Sequence, residues 1–243
     1  MTPKRFFKYL INTLILGLCL IPIIKLAGPN ILKQYITYGI GDCKSIPILC
    51  RQPEDYVFEP EINKEYLGTL VPYTFPKMSI SVPKRFNIIQ ELIKKDYYKK
   101  RHANHKAVIF LLYQEPKTFI KLYPDVQKQG IMDNYEFMRH LTYANFNQIN
   151  NLTDAFFVIM KSVFTPDIGN QNIAKMIKFK LNQTQGFINY TLAKPDNYFD
   201  CNIIDQKGNF FKVYIKDIGG YLDLNNVFAI ISTLKPLNNQ SRE

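Results

Sequence analysis

The chain has 243 residues, carries a formal charge of +11, and is 47% hydrophobic, 21% charged and 14% aromatic, with 14 Pro and 11 Gly. That balance excludes low-complexity and collagen-like classes, and the length fits one large or two small domains. A basic chain points first to nucleic acid or an anionic membrane. The distribution argues against nucleic acid. Lys4, Arg5, Lys8, Lys25 and Lys33 fall in the first 34 residues with no acid among them, and Lys94, Lys95, Lys99, Lys100, Arg101 and Lys106 face only Asp96 in the stretch 94–106. The remainder is near neutral, whereas a nucleic-acid-binding domain spreads its cations over a groove-sized face.

Residues 1–28 read as an N-terminal signal anchor. Lys4, Arg5 and Lys8 precede the apolar run Leu10–Ile24, whose polar members are Asn12 and Thr13. Residues 6–24 make a helix of about 28 Å, close to the hydrocarbon thickness of a bilayer. Phe6, Phe7 and Tyr9 suit the near interface, and Lys25 can snorkel to the far one. Ala27 and Gly28 directly precede Pro29, which makes a poor cleavage context. An uncleaved transmembrane helix is therefore preferred over a cleaved signal or a buried amphipathic segment. The cation bias places the N-terminus inside and the C-terminal domain in a periplasm or its equivalent, with the chain in the cytoplasmic (inner) membrane.

Residues 29–71 carry no persistent period and read as a tether. Within it Cys43 and Cys50 are spaced to close a short loop across Pro47. An oxidising compartment would make them a structural disulfide, with unpaired thiols as the alternative. Six intervening residues do not match the redox-active spacing.

The exported domain is expected over 72–236, followed by a disordered tail at 237–243. Met78–Val82 alternates and predicts an entry strand, while Phe86–Leu92 fits strand or helix equally. Lys106–Gln114 reads as a buried central strand, with Asp96–Arg101 as its hairpin partner and the basic cluster at the hairpin end. Helices are predicted over 117–129, interrupted by Pro124, over 133–149 with Asp133 and Glu136 at capping-box spacing, and over 153–163. The stripe Leu152, Phe156, Ile159 and Val163 is expected to face inward. Four antiparallel strands follow: 174–181, the run FINYTL after a QTQG turn, NYFDCNII containing a buried Cys201, and FFKVYIK. Gly208 suits the last hairpin. Asp223 can cap a final helix. The fold class is thus α+β, a layered domain with a mainly antiparallel sheet covered by helices. Its element order is similar to that of small photosystem-associated or nuclear-transport-factor-binding sandwiches; the likeness rests on no motif and implies no residue role.

Chemical candidates are sparse. His102 and His105 sit in the basic stretch without a third ligand, so no metal is assigned. Glu136 and His140, four apart on one helix face, read better as a surface ion pair than as an acid/base pair. Ser162 and Ser232 lack a nucleophile elbow, and Gly208, Gly219 and Gly220 form no phosphate loop. Tyr97, Tyr98, Tyr190, Tyr198, Tyr214 and Tyr221 lie on predicted strands or their ends, where a tyrosine-lined face can stack on sugar rings or an apolar ligand, or simply pack the sheet. No catalytic residue and no cofactor is assigned. The expected function is a single-pass envelope protein whose exported domain is a binding or accessory module, with membrane lipid as one partner and an anionic lipid or protein as another. Its anionic-surface site would be Lys94, Lys95, Lys99, Lys100, Arg101 and Lys106. The alternative is an anchored hydrolase-type enzyme without a linear motif.

Overall fold

The computed structural model describes residues 27–75, 77–84, 86–93, 97–103, 107–165, 168, 173–193 and 195–237. The expected anchor, the tail from 238, His105 and the cations Lys94, Lys95 and Lys106 lie outside the described residues. Among those described, no helix is long and apolar enough to cross a membrane.

In chain order the elements are α1 (27–39), β1 (Val57–Phe58), α2 (Lys64–Leu67), β2 (Leu70–Thr74), β3 (Met78–Pro83), β4 (Asn87–Ile93), β5 (Tyr97–Ala103), β6 (Ala107–Gln114), α3 (Thr118–Leu122), α4 (Asn134–Tyr143), α5 (Leu152–Phe164), β7 (Lys175–Leu181), β8 (Thr184–Ala193), β9 (Asp196–Asp205), β10 (Phe210–Ile218), α6 (Leu224–Ser232) and β11 (Lys235–Pro236). The described residues divide into two compact units, one holding 27–50 with Ala144–Val163, the other those within Arg51–Tyr143 and from Phe164 to Leu237.

In the smaller unit the stretch expected to be irregular contains α1. Gly28 and Pro29 mask this helix in the sequence, because both disfavour a helix interior. Leu32, Ile36 and Ile40 then recur four apart and pack on Leu49, Phe146, Ile149, Ala155 and Val158. Asp42 closes the next turn by accepting from the amides of Lys44 and Ser45. The chain then runs through a 3-10 turn at Pro47–Leu49, and Cys43 and Cys50 form a disulfide, as expected.

The face of α5 differs from expectation. Leu152 and Val163 are 75% and 71% exposed, whereas Ala155, Phe157, Val158 and Lys161 are buried. A helix apolar nearly all round does not choose its face by hydrophobicity; here the small Ala155 lies against the core and Lys161 donates to the carbonyl of Ala144 at 2.7 Å. The helix predicted over 133–149 also ends early. Asn145 is extended and its side chain accepts from the amide of Asn147, which starts a separate 3-10 turn at Phe146–Gln148.

The larger unit is α+β with a mainly antiparallel sheet, as the sequence implies. Its eight-stranded sheet runs β1-β7-β8-β9-β10-β6-β5-β4, with β1 parallel to β7 and every other pair antiparallel; a three-stranded sheet runs β11-β3-β2. The ambiguous segment after Phe86 is β4, with a register shift between Ile88 and Gln90. The strand β5 reaches Ala103, so Lys99, Lys100 and Arg101 pair in mid-strand with β4 and β6 rather than lying at a hairpin end. The turn after β7 is at Asn182–Gln183, and Gly186 lies inside β8. Glycine is needed there because β9 comes so close that a Cβ would fall on the carbonyl oxygen of Asn202. Gly208 closes the β9–β10 hairpin at φ 80°, with Asp205 accepting from the amides of Lys207 and Asn209.

One face of the large sheet carries Ile109, Leu111, Ile177, Ile188, Phe199, Cys201, Phe211, Val213 and Ile215 into a core shared with Met78, Ile80 and Val82 of β3 and Val227, Phe228, Ile230 and Ile231 of α6. Asp223 starts α6 by accepting from the amide of Asn226 at 2.7 Å. On the opposite face Phe119 of α3 sits edge-on to Phe210 at 5.0 Å, and Tyr135 and Tyr143 of α4 cover Phe187.

Candidate functional site

Strand alternation puts Asn189 (β8), Asp200 and Asn202 (β9), and Lys212 and Tyr214 (β10) on that second face, since Asp200 pairs with Asn189 and Tyr214, and Asn202 with Lys212. Period-2 patterning normally sends such residues to water. Here the helices cover part of the face, so Asn189, Asp200 and Asn202 are buried. Lys212 Nζ lies 2.8 Å from Asp200 Oδ1 and donates to the carbonyl of Phe164 at 2.7 Å. The contact with Asp200 is an ion pair by distance but poorly aligned as a hydrogen bond, and Asp200 Oδ2 has no hydrogen-bond partner. Burial pushes the Asp200 carboxyl above its usual range, and the Lys212 charge offsets only part of that. Arg51 donates to Asn189 Oδ1 at 3.3 Å, and burial lowers the pKa of its guanidinium; the Asn189 amide nitrogen is buried without a partner.

A pocket of about 270 Å³ lies elsewhere in the same unit, between the β7–β8 and β9–β10 turns and the end of α6. Its floor is Leu181, Ile231, Leu234 and Pro236, and its rim includes Thr184, Asp205, Lys207, Ser232 and Lys235. Three of the rim side chains are engaged locally: Thr184 donates to the carbonyl of Leu181, Ser232 to that of Ala229, and Asp205 accepts from its own turn and from Asn209 Nδ2. A neighbouring depression of about 200 Å³ runs over Lys180, Gln185 and Ile204. Neither pocket is lined by Asp200 or Lys212. The arrangement can hold a small ligand against an apolar floor.

Of the residues singled out in the sequence, the structure unites few. Arg101 is exposed on β5, and Lys99 and Lys100 share that strand. The Glu136 carboxylate takes Arg139 at 2.7 Å, and His140 Nδ1 meets the backbone carbonyl of Glu136. The tyrosines are split between faces. Tyr190 stacks on Phe199 at the apolar core, Tyr198 and Tyr214 lie on the polar-bearing face, and Tyr221 is exposed beyond β10. Among the described residues no group of three His, Cys, Asp or Glu is arranged to hold a metal. Sequence reading missed Asn189, Asp200, Asn202 and Lys212. The available signal was an Asp and an Asn flanking Cys201 in a strand otherwise too apolar to be half-solvated. No protein-family profile matches the chain, and no curated protein aligns with it significantly.

Proposed function

We propose that the chain is a membrane-anchored envelope protein whose exported α+β domain is a binding or accessory module rather than a hydrolase. The observation that carries this reading is the larger pocket: an apolar floor under a polar rim whose hydroxyls and carboxylate already serve turns and helix ends. An apolar floor under a polar rim is the ordinary form of a small-ligand site. The Cys43–Cys50 disulfide supports an oxidising compartment for everything after residue 40. The apolar run Leu10–Ile24, preceded by Lys4, Arg5 and Lys8, supports an inner-membrane anchor with its N-terminus inside. Lys94, Lys95, Lys99, Lys100, Arg101 and Lys106, on and beside β5 in the sequence, then supply the positive charge that attracts anionic lipid or an acidic protein, each cation near such a bilayer contributing about 1 kcal/mol.

Fractionation tests the anchor. The protein stays in the membrane pellet after a carbonate wash, and protease reaches the domain only from outside; a full-length soluble cytoplasmic protein overturns the reading. Liposome sedimentation tests the surface on a chain truncated before residue 27. Replacing Lys94, Lys95, Lys99, Lys100 and Arg101 by Gln abolishes a salt-sensitive binding to anionic vesicles, and equal binding by both versions refutes it.

A further inference from the structure

The helix α1 has two apolar faces, and only one is used. Leu32, Ile36 and Ile40 pack inward. Ile31, Tyr35 and Tyr38, spaced i, i+4 and i+7, form a stripe on the other side and are 62%, 75% and 93% exposed. Neighbouring positions on that side are small or uncharged: Ala27, Gln34 and, toward its flank, Asn30. Lys33, the one charged residue between 27 and 39, is turned away and donates to the carbonyl of Asn147 at 2.8 Å.

We infer that this stripe beds α1 into the headgroup–acyl boundary of the bilayer, making it a juxtamembrane interfacial helix. The inference rests on the anchor proposed above. Chain continuity selects the occupant, because Ala27, the first described residue of α1, follows Ile24, the end of the apolar run, by three residues in sequence. Seven residues extend at most about 25 Å, so Ile31 cannot leave the neighbourhood of the membrane surface. Tyrosine is the side chain suited to that depth, with an apolar ring and a hydroxyl that stays wet. An uncharged stripe needs no anionic lipid, which separates this contact from that of the basic strand. A second copy of the chain is the competing occupant.

The chain contains no tryptophan, so each substitution introduces a single reporter. Ile31→Trp, Tyr35→Trp, Tyr38→Trp and, as the off-face control, Thr37→Trp are made in the full chain and reconstituted into phosphatidylcholine vesicles with and without brominated acyl chains. All four positions are exposed, so the core is untouched. Flotation reports the anchor; quenching reports the stripe. The expected result is that every variant floats and that bromine quenches positions 31, 35 and 38 roughly twofold more than 37, as for a face set about 5–10 Å into the boundary. Flotation with equal quenching at all four positions overturns the interfacial face and leaves the anchor standing. Failure to float overturns both. A blue-shifted emission that grows with the protein-to-lipid ratio and ignores bromine overturns lipid in favour of a second copy.

Discussion

On one face of the eight-stranded sheet, Ile188, Cys201 and Val213 lie side by side across β8, β9 and β10, in a core closed by β3 and α6. One residue along, on the other face, the neighbours are Asn189, Asp200 and Tyr214, with Asn202 and Lys212 beside them. The carboxylate buried at the margin of the first face, Asp217, accepts from the amide of Leu222 at 2.6 Å, so it ties down a turn. Asp200 has no backbone partner, and its nearest cation reaches it from the neighbouring strand β10. The apolar face is therefore held by volume, which tolerates a slide between similar side chains, while the second face adds buried polar groups that meet in one register alone.

Removing volume from the first face has the largest expected effect. Phe199 is fully buried, so Phe199→Ala costs about 3–5 kcal/mol in urea unfolding, through lost transfer energy and the cavity left behind. That cost is independent of pH. A loss below about 1 kcal/mol would show that this face is loosely packed and remove half of the contrast.

Lys212→Met is expected to cost nearly as much, about 3–5 kcal/mol at neutral pH, because it strands a buried carboxylate. Its signature is pH dependence. The folded state already raises the Asp200 pKa above the unfolded value, so it binds the proton more tightly than the unfolded chain does. Stability then falls as pH rises from the ordinary carboxyl range toward the folded value. Without Lys212 the shift widens, so the variant loses more stability than the parent does as pH rises above the ordinary carboxyl range. Equal slopes for variant and parent contradict this account.

Gly186→Ala probes where the two faces are set together. The new Cβ meets backbone, the carbonyl of Asn202, so β8 and β9 must separate next to Asn202 itself. Overpacking of this kind costs about 1–3 kcal/mol. Hydrogen exchange should quicken in β8 and β9 and remain unchanged in β2 and β3, which belong to the other sheet.

Much of this architecture was legible in the sequence, and what was not has a physical reason. The four-strand meander, the Gly208 hairpin, the Asp223 cap and the Cys43–Cys50 pairing all rest on local rules of alternation, turn chemistry and spacing, and each is present. The Phe86 segment and the inward face of α5 were not legible, because tertiary neighbours decide both; α1 was hidden by Gly28 and Pro29. The polar cluster was hidden by alternation itself, since Asp200 and Lys212 stand where a half-solvated strand carries polar side chains, and their burial follows from helices far away in sequence. The basic strand was read from charge alone, and the backbone pairing of β5 moved it from a hairpin end to mid-strand.

Asp200→Asn has the smallest expected effect and divides charge from shape on the second face. The amide oxygen can still accept from Lys212, which keeps its bond to the carbonyl of Phe164 and lies 3.5 Å from Asn202 Oδ1. What disappears is the buried negative charge, and with it the penalty that grows with pH. What appears is an extra buried N–H facing Asn189, whose own amide nitrogen is already without a partner, so the gain is offset by about 1–3 kcal/mol of unsatisfied donor. The net change at neutral pH is expected to be about 1 kcal/mol of destabilisation, with a flatter pH profile than the parent. If the substitution is instead as damaging as Lys212→Met and equally so within and above the ordinary carboxyl range, the carboxylate charge itself holds the register of β8, β9 and β10, and the second face depends on an ion pair rather than on polar shape.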